Sequence, residues 1–145
     1  MARVRNEILS SYCFSLLRKK FNKMGANFDK FAESKIIPVT GDLIIDKLGL
    51  SDSDRAMIVE SCNIILNSAA SVNFDDPLKE ALQINYFGSM RMLDLAKECK
   101  NLEVFTHVST CYVNCNRSGY IEEKVYDTGH VNVDELVSSI MKMNP

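Results

Sequence analysis

Three apolar runs, each too short to form a helix, constrain the fold of this chain more than any other feature. They cover residues 36–40, 63–67 and 102–108 and are rich in β-branched or bulky apolar residues. Such composition favours strands, and continuous apolar runs indicate strands in a parallel sheet. Longer segments with helical periodicity separate the runs. The pattern therefore predicts an α/β fold whose parallel sheet has helices on both faces.

Apolar spacing and capping residues also indicate the helices. An apolar residue at every fourth position predicts one amphipathic helix over residues 3–23. Ser51 or Ser53 can cap a short helix, because a side-chain oxygen there accepts an N–H group of the first turn. Asp76 followed by Pro77 predicts the start of a longer helix that runs to about residue 99.

Charge and composition exclude several classes of partner. Residues 1–35 hold 8 Lys and Arg against 3 Asp and Glu, whereas residues 36–145 hold 9 against 16. The remainder of the chain is acidic, so we expect no nucleic-acid partner. No apolar run approaches the roughly 18 residues of a membrane span, and we expect none in this chain.

The cysteines do not form a recognisable metal or disulfide pattern. Five of them are scattered without a Cys-x-x-Cys pair, and no secretory leader is apparent, which favours reduced thiols inside a cell. Cys111 and Cys115 could be half of a metal site, but no second ligand pair exists, and His107 and His130 are poorly spaced for one. We expect no metal.

In an open parallel sheet, ligands bind at the carboxyl ends of the strands. The polar residues that directly follow the predicted strands are Asp42, then Asn67 and Ser68, then Ser109 and Thr110. We therefore expect a functional site at this edge of the sheet.

Several short motifs follow one another along residues 36–127. They are Val39-Thr40-Gly41-Asp42, Leu48-Gly49-Leu50-Ser51, Asn67-Ser68-Ala69-Ala70 with Val72 and Phe74-Asp75, Ile84-Asn85 with Gly88, His107-Val108-Ser109-Thr110, Tyr112-Val113-Asn114-Cys115, and Ile121-Glu122-Glu123 with Val125-Tyr126. Each is weak alone, but the ordered series resembles the extended short-chain dehydrogenase/reductase superfamily. Within it, the last two motifs resemble the fatty acyl-CoA reductases, with their male-sterility-type NAD(P)-binding domain.

The resemblance implies a Rossmann-like domain that binds NADPH. It assigns the carboxylate of Asp42 to the adenine amino group and Leu43 to an apolar contact, although Asp42 could simply cap a turn. Small side chains after the predicted strand over residues 63–67 would let the backbone approach a ribose or the nicotinamide. The alternative is that they only form a tight turn. The remaining cofactor-binding residues are Asn67, Ser68, Ala69, Ala70 and Val108.

The resemblance also implies three catalytic residues. A strand-end hydroxyl in this superfamily hydrogen-bonds the substrate carbonyl and stabilises negative charge as hydride arrives. Thr110 matches this position, with Ser109 as the second choice; either hydroxyl could instead cap backbone. Asn85 would distort its helix and support a proton relay, or be a hydrogen-bonded core asparagine.

Two parts of the superfamily's machinery do not match this sequence. None of its six glycines has the spacing of the glycine-rich turn that holds the cofactor pyrophosphate. The one Tyr-x-x-x-Lys match, Tyr120 to Lys124, comes only ten residues after Thr110, and we interpret it as a decoy. We therefore expect one incomplete domain over residues 1–145, lacking the first strand–helix unit and the catalytic Tyr-Lys helix, with residues 1–35 as a basic amphipathic helix and connector.

By resemblance, the chain is a fragment of an NADPH-dependent fatty acyl-CoA reductase that converts an acyl-CoA thioester to a fatty alcohol, and the fragment alone is expected to be inactive. Three alternatives stay open: a nucleotide-sugar epimerase or dehydratase, a thioester reductase domain, and a non-catalytic binding module. The whole protein is expected inside the cell, on the cytoplasmic side of a peroxisomal or endoplasmic-reticulum membrane. An unpaired sheet edge would favour self-association.

Overall fold

The computed structural model describes residues 3–127, 129 and 131–143. His130 lies outside the described residues. The chain divides into two compact units, Met1–Thr40 and Gly41–Pro145.

The N-terminal unit consists of short helical segments around a small apolar core. Its segments are a π-helical turn over Val4–Leu9, a 3₁₀ turn over Tyr12–Phe14, and helices α1 (Ser15–Lys23) and α2 (Phe28–Lys35). The core consists of buried and partly buried apolar side chains, namely Leu9, Phe28, Ala32, Val4, Phe14, Phe21 and Ile36.

The prediction of one continuous helix over residues 3–23 is wrong. Ser11 has extended backbone with ψ of 158°, which separates the first turn from the rest. The hydroxyl of the preceding Ser10 donates to the Asn6 carbonyl, and serine side chains that bind nearby backbone weaken a helix. Gly25 ends α1 with a φ of +68°, the left-handed conformation typical of a helix stop. Asn27 then caps α2 by accepting the Lys30 N–H at 3.0 Å.

The prediction of a strand over residues 36–40 is also wrong. Ile36 has extended backbone, but strand pairing within the described residues is confined to two later segments. An extended segment becomes a strand only when a neighbour takes up its N–H and C=O groups. Ile36 packs instead against the core of the N-terminal unit.

In its described residues, the C-terminal unit contains the sheet and four helices. Its elements are a 3₁₀ turn (Asp46–Gly49), α3 (Asp52–Ser61), β1 (Ile64–Asn67), α4 (Leu78–Ala81), a π-helical segment (Leu82–Phe87), α5 (Gly88–Glu98), β2 (Val104–His107), a second 3₁₀ turn (Cys111–Asn114) and α6 (Val133–Lys142). Helices α4 and α5 join through the π segment into one long run. The chain is therefore α/β, as the sequence predicts.

One predicted cap is confirmed and another is wrong. Ser51 accepts the Asp54 N–H at 3.1 Å and begins α3. Asp76, by contrast, does not cap α4. Its carboxylate accepts the Asn73 amide at 2.6 Å within the preceding loop, and Pro77 stands directly before the first helical residue.

Strands β1 and β2 pair in parallel, with Ile64 opposite Val104 and Asn67 opposite His107. Helix α5 packs against both strands. Ile65 and Asn67 are buried, whereas Ile64 and Leu66 on the opposite face of β1 are exposed. Strand β2 is shorter than the predicted run over residues 102–108, because it ends at His107. It is also more exposed than expected, with Val104 47% exposed. Neither outer edge pairs with another described strand, and self-association through an edge stays a prediction.

Helix α3 and the residues after it are tied to the C-terminal end of α5 and the residues that follow α5. Arg55 forms an ion pair with Glu98 at 2.6 Å. The Asn63 amide donates to the Asn101 carbonyl at 2.9 Å, and the Asn101 amide donates to the Glu60 carbonyl at 2.8 Å. These bonds fix the amino ends of the strands, so the polar side chains after the strands lie at the opposite, carboxyl end.

Candidate functional site

The carboxyl edge of the sheet holds a buried polar cluster around Asn67. Asn67 is the last residue of β1 and is 2% exposed. Its Nδ2 lies 3.2 Å from His107 Nδ1 on the neighbouring strand and 3.5 Å from Ser89 Oγ on α5. Its Oδ1 is buried without a hydrogen-bond partner among the described residues. A buried unpaired acceptor costs about 1–3 kcal/mol, so a hydrogen-bond donor that reached this oxygen would stabilise the cluster.

His107 and Ser89 are parts of this cluster that the sequence analysis did not assign. His107 stands in the resembling series of motifs, but its role depends on the register that places it opposite Asn67. Ser89 comes from α5, 22 residues further along the chain than Asn67. Only the strand pairing and the packing of α5 bring these side chains together.

The small residues that follow Asn67 are accessible. Ser68, Ala69 and Ala70 are all exposed, so a ligand could approach their backbone without meeting a large side chain. Val108 follows the second strand in the same way; its N–H donates to the Asn67 carbonyl at 2.9 Å, and its side chain is 57% exposed. These five predicted cofactor residues therefore share one edge of the sheet.

Asp42 lies in an exposed turn at the start of the C-terminal unit. Its Oδ1 accepts the Ile44 N–H at 3.0 Å, and its own N–H donates to the Leu48 carbonyl at 2.8 Å. Asp42 thus caps this turn, the alternative that its sequence context left open. The same turn contains two left-handed non-glycine residues, Lys47 and Leu48, at φ of 51° and 64°. Such backbone persists only when the surrounding structure holds it, and the buried Leu48 side chain does so here.

Leu43 is anchored on α5 by two contacts. A Cβ added at Gly88 would lie 2.9 Å from the Leu43 Cβ, so only glycine permits this approach. In addition, Arg91 Nη1 donates to the Leu43 carbonyl at 2.9 Å. The loop that carries Asp42 and Leu43 is therefore fixed on the helix that also covers Asn67.

Asn85 lies in the π-helical segment, so the helix is distorted at this residue, as the resemblance implies. The alternative of a core asparagine is wrong, because Asn85 is exposed. Its Oδ1 accepts the Ser71 N–H at 2.8 Å, and its Nδ2 donates to the Ser71 carbonyl at 3.2 Å. The Asn85 amide thus clamps the loop after β1, while its main-chain carbonyl accepts the Ser89 hydroxyl at 2.8 Å.

Ser109 and Thr110 follow β2 and are both exposed. Thr110 Oγ1 accepts the Tyr112 N–H at 3.2 Å and begins the turn over Cys111–Asn114. The Tyr112 ring lies edge-to-face on Phe74, with ring centroids 5.6 Å apart and an interplanar angle of 86°. The loops that leave the two strands therefore meet beside Thr110.

The Tyr120-x-x-x-Lys124 match has no helical geometry. The segment from Gly119 to Val125 contains no helix, and Tyr120 is 90% exposed. The Lys124 ammonium pairs with the Glu122 carboxylate. A proton-donating Tyr-Lys dyad needs both side chains on one helix face, so this geometry favours the decoy interpretation.

Comparison with known proteins agrees with the resemblance. A sequence profile described as "Male sterility protein" matches residues 1–144. Fatty acyl-CoA reductase 1 of Mus musculus is 41% identical over 138 residues, which are 95% of this chain and 25% of the mouse protein. Fatty acyl-CoA reductase 1 of Homo sapiens matches with the same identity and coverage. Fatty acyl-CoA reductase 2, chloroplastic, of Arabidopsis thaliana is 37% identical over 127 residues, or 88% of this chain and 20% of that protein.

The chain thus spans a quarter or less of the length of these relatives. None of the helices in the described residues is both long and apolar enough to cross a membrane.

Proposed function

This chain belongs to the male sterility protein family of NAD(P)-binding reductases, and from this premise we propose that it is part of an NADPH-dependent fatty acyl-CoA reductase. The whole protein would convert an acyl-CoA thioester to a fatty alcohol. The observation that carries the proposal is the similarity, over 88–95% of this chain, to proteins named as fatty acyl-CoA reductases from animals and a plant.

The carboxyl edge of the sheet suits a dinucleotide. Asn67 ends β1 at this edge, and its amide could accept a hydrogen bond from a ribose hydroxyl or the nicotinamide amide if the side chain turned towards the ligand. The exposed backbone after it allows close approach by a bulky ligand. In this proposal Asp42 and Leu43 contact adenine, whereas the ribose and nicotinamide contact Asn67, Ser68, Ala69, Ala70 and Val108. The bound NADPH would supply the hydride.

Thr110 is the proposed electrophilic residue. A hydroxyl can accept one hydrogen bond and donate another. Because Thr110 Oγ1 accepts the Tyr112 N–H, its own proton is available for the substrate carbonyl oxygen. A donor positioned in this way stabilises the negative charge that forms when hydride reaches the carbonyl carbon. Ser109 is the second candidate for the same role.

The test is an NADPH oxidation assay with a long-chain acyl-CoA, using the whole protein that contains these residues. We expect Thr110→Val to lower kcat about 10²–10³-fold, the loss typical of removing an oxyanion donor. Ser109→Ala is the matched control and should lose far less. Reversal of that order would move the role to Ser109, and turnover of a nucleotide sugar instead of acyl-CoA would contradict the proposed function.

The 145-residue chain by itself should bind NADPH weakly and show no turnover, because its sequence lacks the glycine-rich turn and a helical Tyr-Lys dyad. NADPH oxidation by this chain would contradict the expectation, and its loss in Tyr120→Phe would overturn the decoy interpretation. We further propose the location that the resemblance implies, at a peroxisomal or endoplasmic-reticulum membrane, which imaging of the tagged whole protein would test.

A further inference from the structure

Exposed apolar side chains stand on the two loops that leave the strands, and Thr110 lies on the second of these loops. Val72 and Phe74 follow β1 and are 86% and 83% exposed. Val108, Tyr112 and Val113 follow β2 and are 57%, 59% and 67% exposed. We call these five residues the apolar rim. They stand at the carboxyl edge of the sheet, where parallel α/β sheets bind their ligands.

We propose that the Phe74–Tyr112 pair of the apolar rim binds the hydrocarbon chain of the acyl-CoA substrate and makes binding dependent on chain length. This inference rests on the proposed function and goes beyond it, because it assigns acyl-chain selectivity to particular side chains. The pair bridges the two loops, with ring centroids 5.6 Å apart. The Tyr112 N–H donates a hydrogen bond to Thr110 Oγ1, so an acyl chain on these rings would begin next to the proposed reacting carbonyl.

The loop that carries Phe74 is held in place before any ligand binds. Asn85 makes two hydrogen bonds to the Ser71 backbone. Within the loop, the Asp76 carboxylate accepts both the Ser71 hydroxyl and the Asn73 amide. Such preorganisation reduces the entropy lost on binding. The exposed ring is therefore presented by a fixed loop.

Charge favours a hydrocarbon occupant over the phosphates of CoA or NADPH. The loop contributes two carboxylates, Asp75 and Asp76, beside Phe74. Negative charge there disfavours a pyrophosphate or a phosphate monoester. An uncharged alkyl chain avoids this repulsion and removes apolar surface of both rings from water.

Equilibrium binding to the full 145-residue chain tests the proposal without requiring catalysis. Titration calorimetry would compare lauroyl-CoA below its micellar concentration, butyryl-CoA and free CoA. Each methylene buried on the rim should tighten binding about fourfold. We expect lauroyl-CoA to bind the tightest of the three. Phe74→Ala and Tyr112→Ala should each weaken lauroyl-CoA by about tenfold or more and change butyryl-CoA by less than about twofold.

Two substitutions serve as matched controls. Tyr12→Ala removes another exposed aromatic ring, in the N-terminal unit, and should change neither affinity. Phe74→Leu keeps an apolar side chain and should retain most of the binding of lauroyl-CoA. It also keeps the test valid if an alanine variant does not fold, which circular dichroism would reveal.

Equal affinity of the unchanged chain for lauroyl-CoA and CoA would overturn the inference. So would an equal loss for both ligands in the alanine variants. Assays of the whole protein separate this result from the proposed function. Chain-length-dependent binding without acyl-CoA reduction would defeat the proposed function alone, whereas reduction with unchanged chain-length dependence in the variants would defeat this inference alone.

Discussion

Replacing Gly88 by alanine tests the contact that fixes Leu43, a proposed cofactor residue. Gly88 is buried at the start of α5. An added Cβ would lie 2.9 Å from the Leu43 Cβ and 3.4 Å and 3.5 Å from its Cδ1 and Cγ. Rotation of the Leu43 side chain does not move its Cβ, and Arg91 holds the Leu43 carbonyl at 2.9 Å. Relief of the contact therefore requires the backbone to move.

Two effects of opposite sign determine the stability of this variant. Alanine is favoured over glycine inside a helix by about 1 kcal/mol. Overpacking a buried contact costs about 1–3 kcal/mol. We expect Gly88→Ala to lower the free energy of unfolding by up to about 2 kcal/mol, although helix propensity alone predicts a gain. Displacement of Leu43 should also weaken NADPH binding.

The assay is urea unfolding followed by circular dichroism. The matched control is the same substitution in a Leu43→Gly background, which removes all three close atoms of Leu43. There, Gly88→Ala should stabilise the chain by up to about 1 kcal/mol, because only helix propensity then operates. Stabilisation by Gly88→Ala in the otherwise unchanged chain would refute the reasoning, since it would mean that Leu43 does not approach Gly88.

Three further predictions concern titratable groups. The hydrogen bond from Arg18 holds the pKa of Asp29 below its ordinary value, so the pair stabilises the folded chain above pH of about 4 and loses this contribution as the pH falls. In urea unfolding at acidic pH, Arg18→Gln should therefore lose less stability with falling pH than the unchanged chain does. The same pH dependence in both chains would contradict this prediction. The hydrogen bond to Asp134 raises the pKa of the Tyr86 phenol. Alkaline titration of phenolate absorbance should therefore show a tyrosine that ionises at unusually high pH, and Tyr86→Phe should remove this step. Persistence of the step in the variant would assign it to another residue and contradict the prediction. Burial raises the pKa of the Cys99 thiol, so this thiol should react slowly with an aromatic disulfide reagent. The fast phase of the reaction, which comes from the other thiols, should be unchanged in Cys99→Ser.

The local part of the fold was predictable from the sequence. Ser51 begins a helix and Gly25 ends one because capping depends on side chains and backbone within a few residues. The apolar runs before Asn67 and before Ser109 form parallel strands for a similar reason, since short β-branched runs between helices have few other arrangements.

The two wrongly predicted elements share one cause. Residues 3–23 have helical spacing, and residues 36–40 have strand composition, yet neither segment forms the predicted element. Each depends on partners elsewhere in the chain. The aromatic core of the N-terminal unit accommodates a break at Ser11, and an extended segment at residues 36–40 has no neighbouring strand among the described residues.

The sequence by itself determined the family, the α/β class and the position of Asn67, Ser109 and Thr110 at or just beyond the carboxyl ends of strands, because motif order and short-range periodicity encode these features. Only the tertiary structure decided which side chains meet. Asn67 contacts His107, 40 residues away, through the strand register. Asn85 turns out to clamp the loop after β1, 14 residues earlier. Such contacts depend on register, helix distortion and packing between distant segments, and these are properties that local spacing along a chain does not specify.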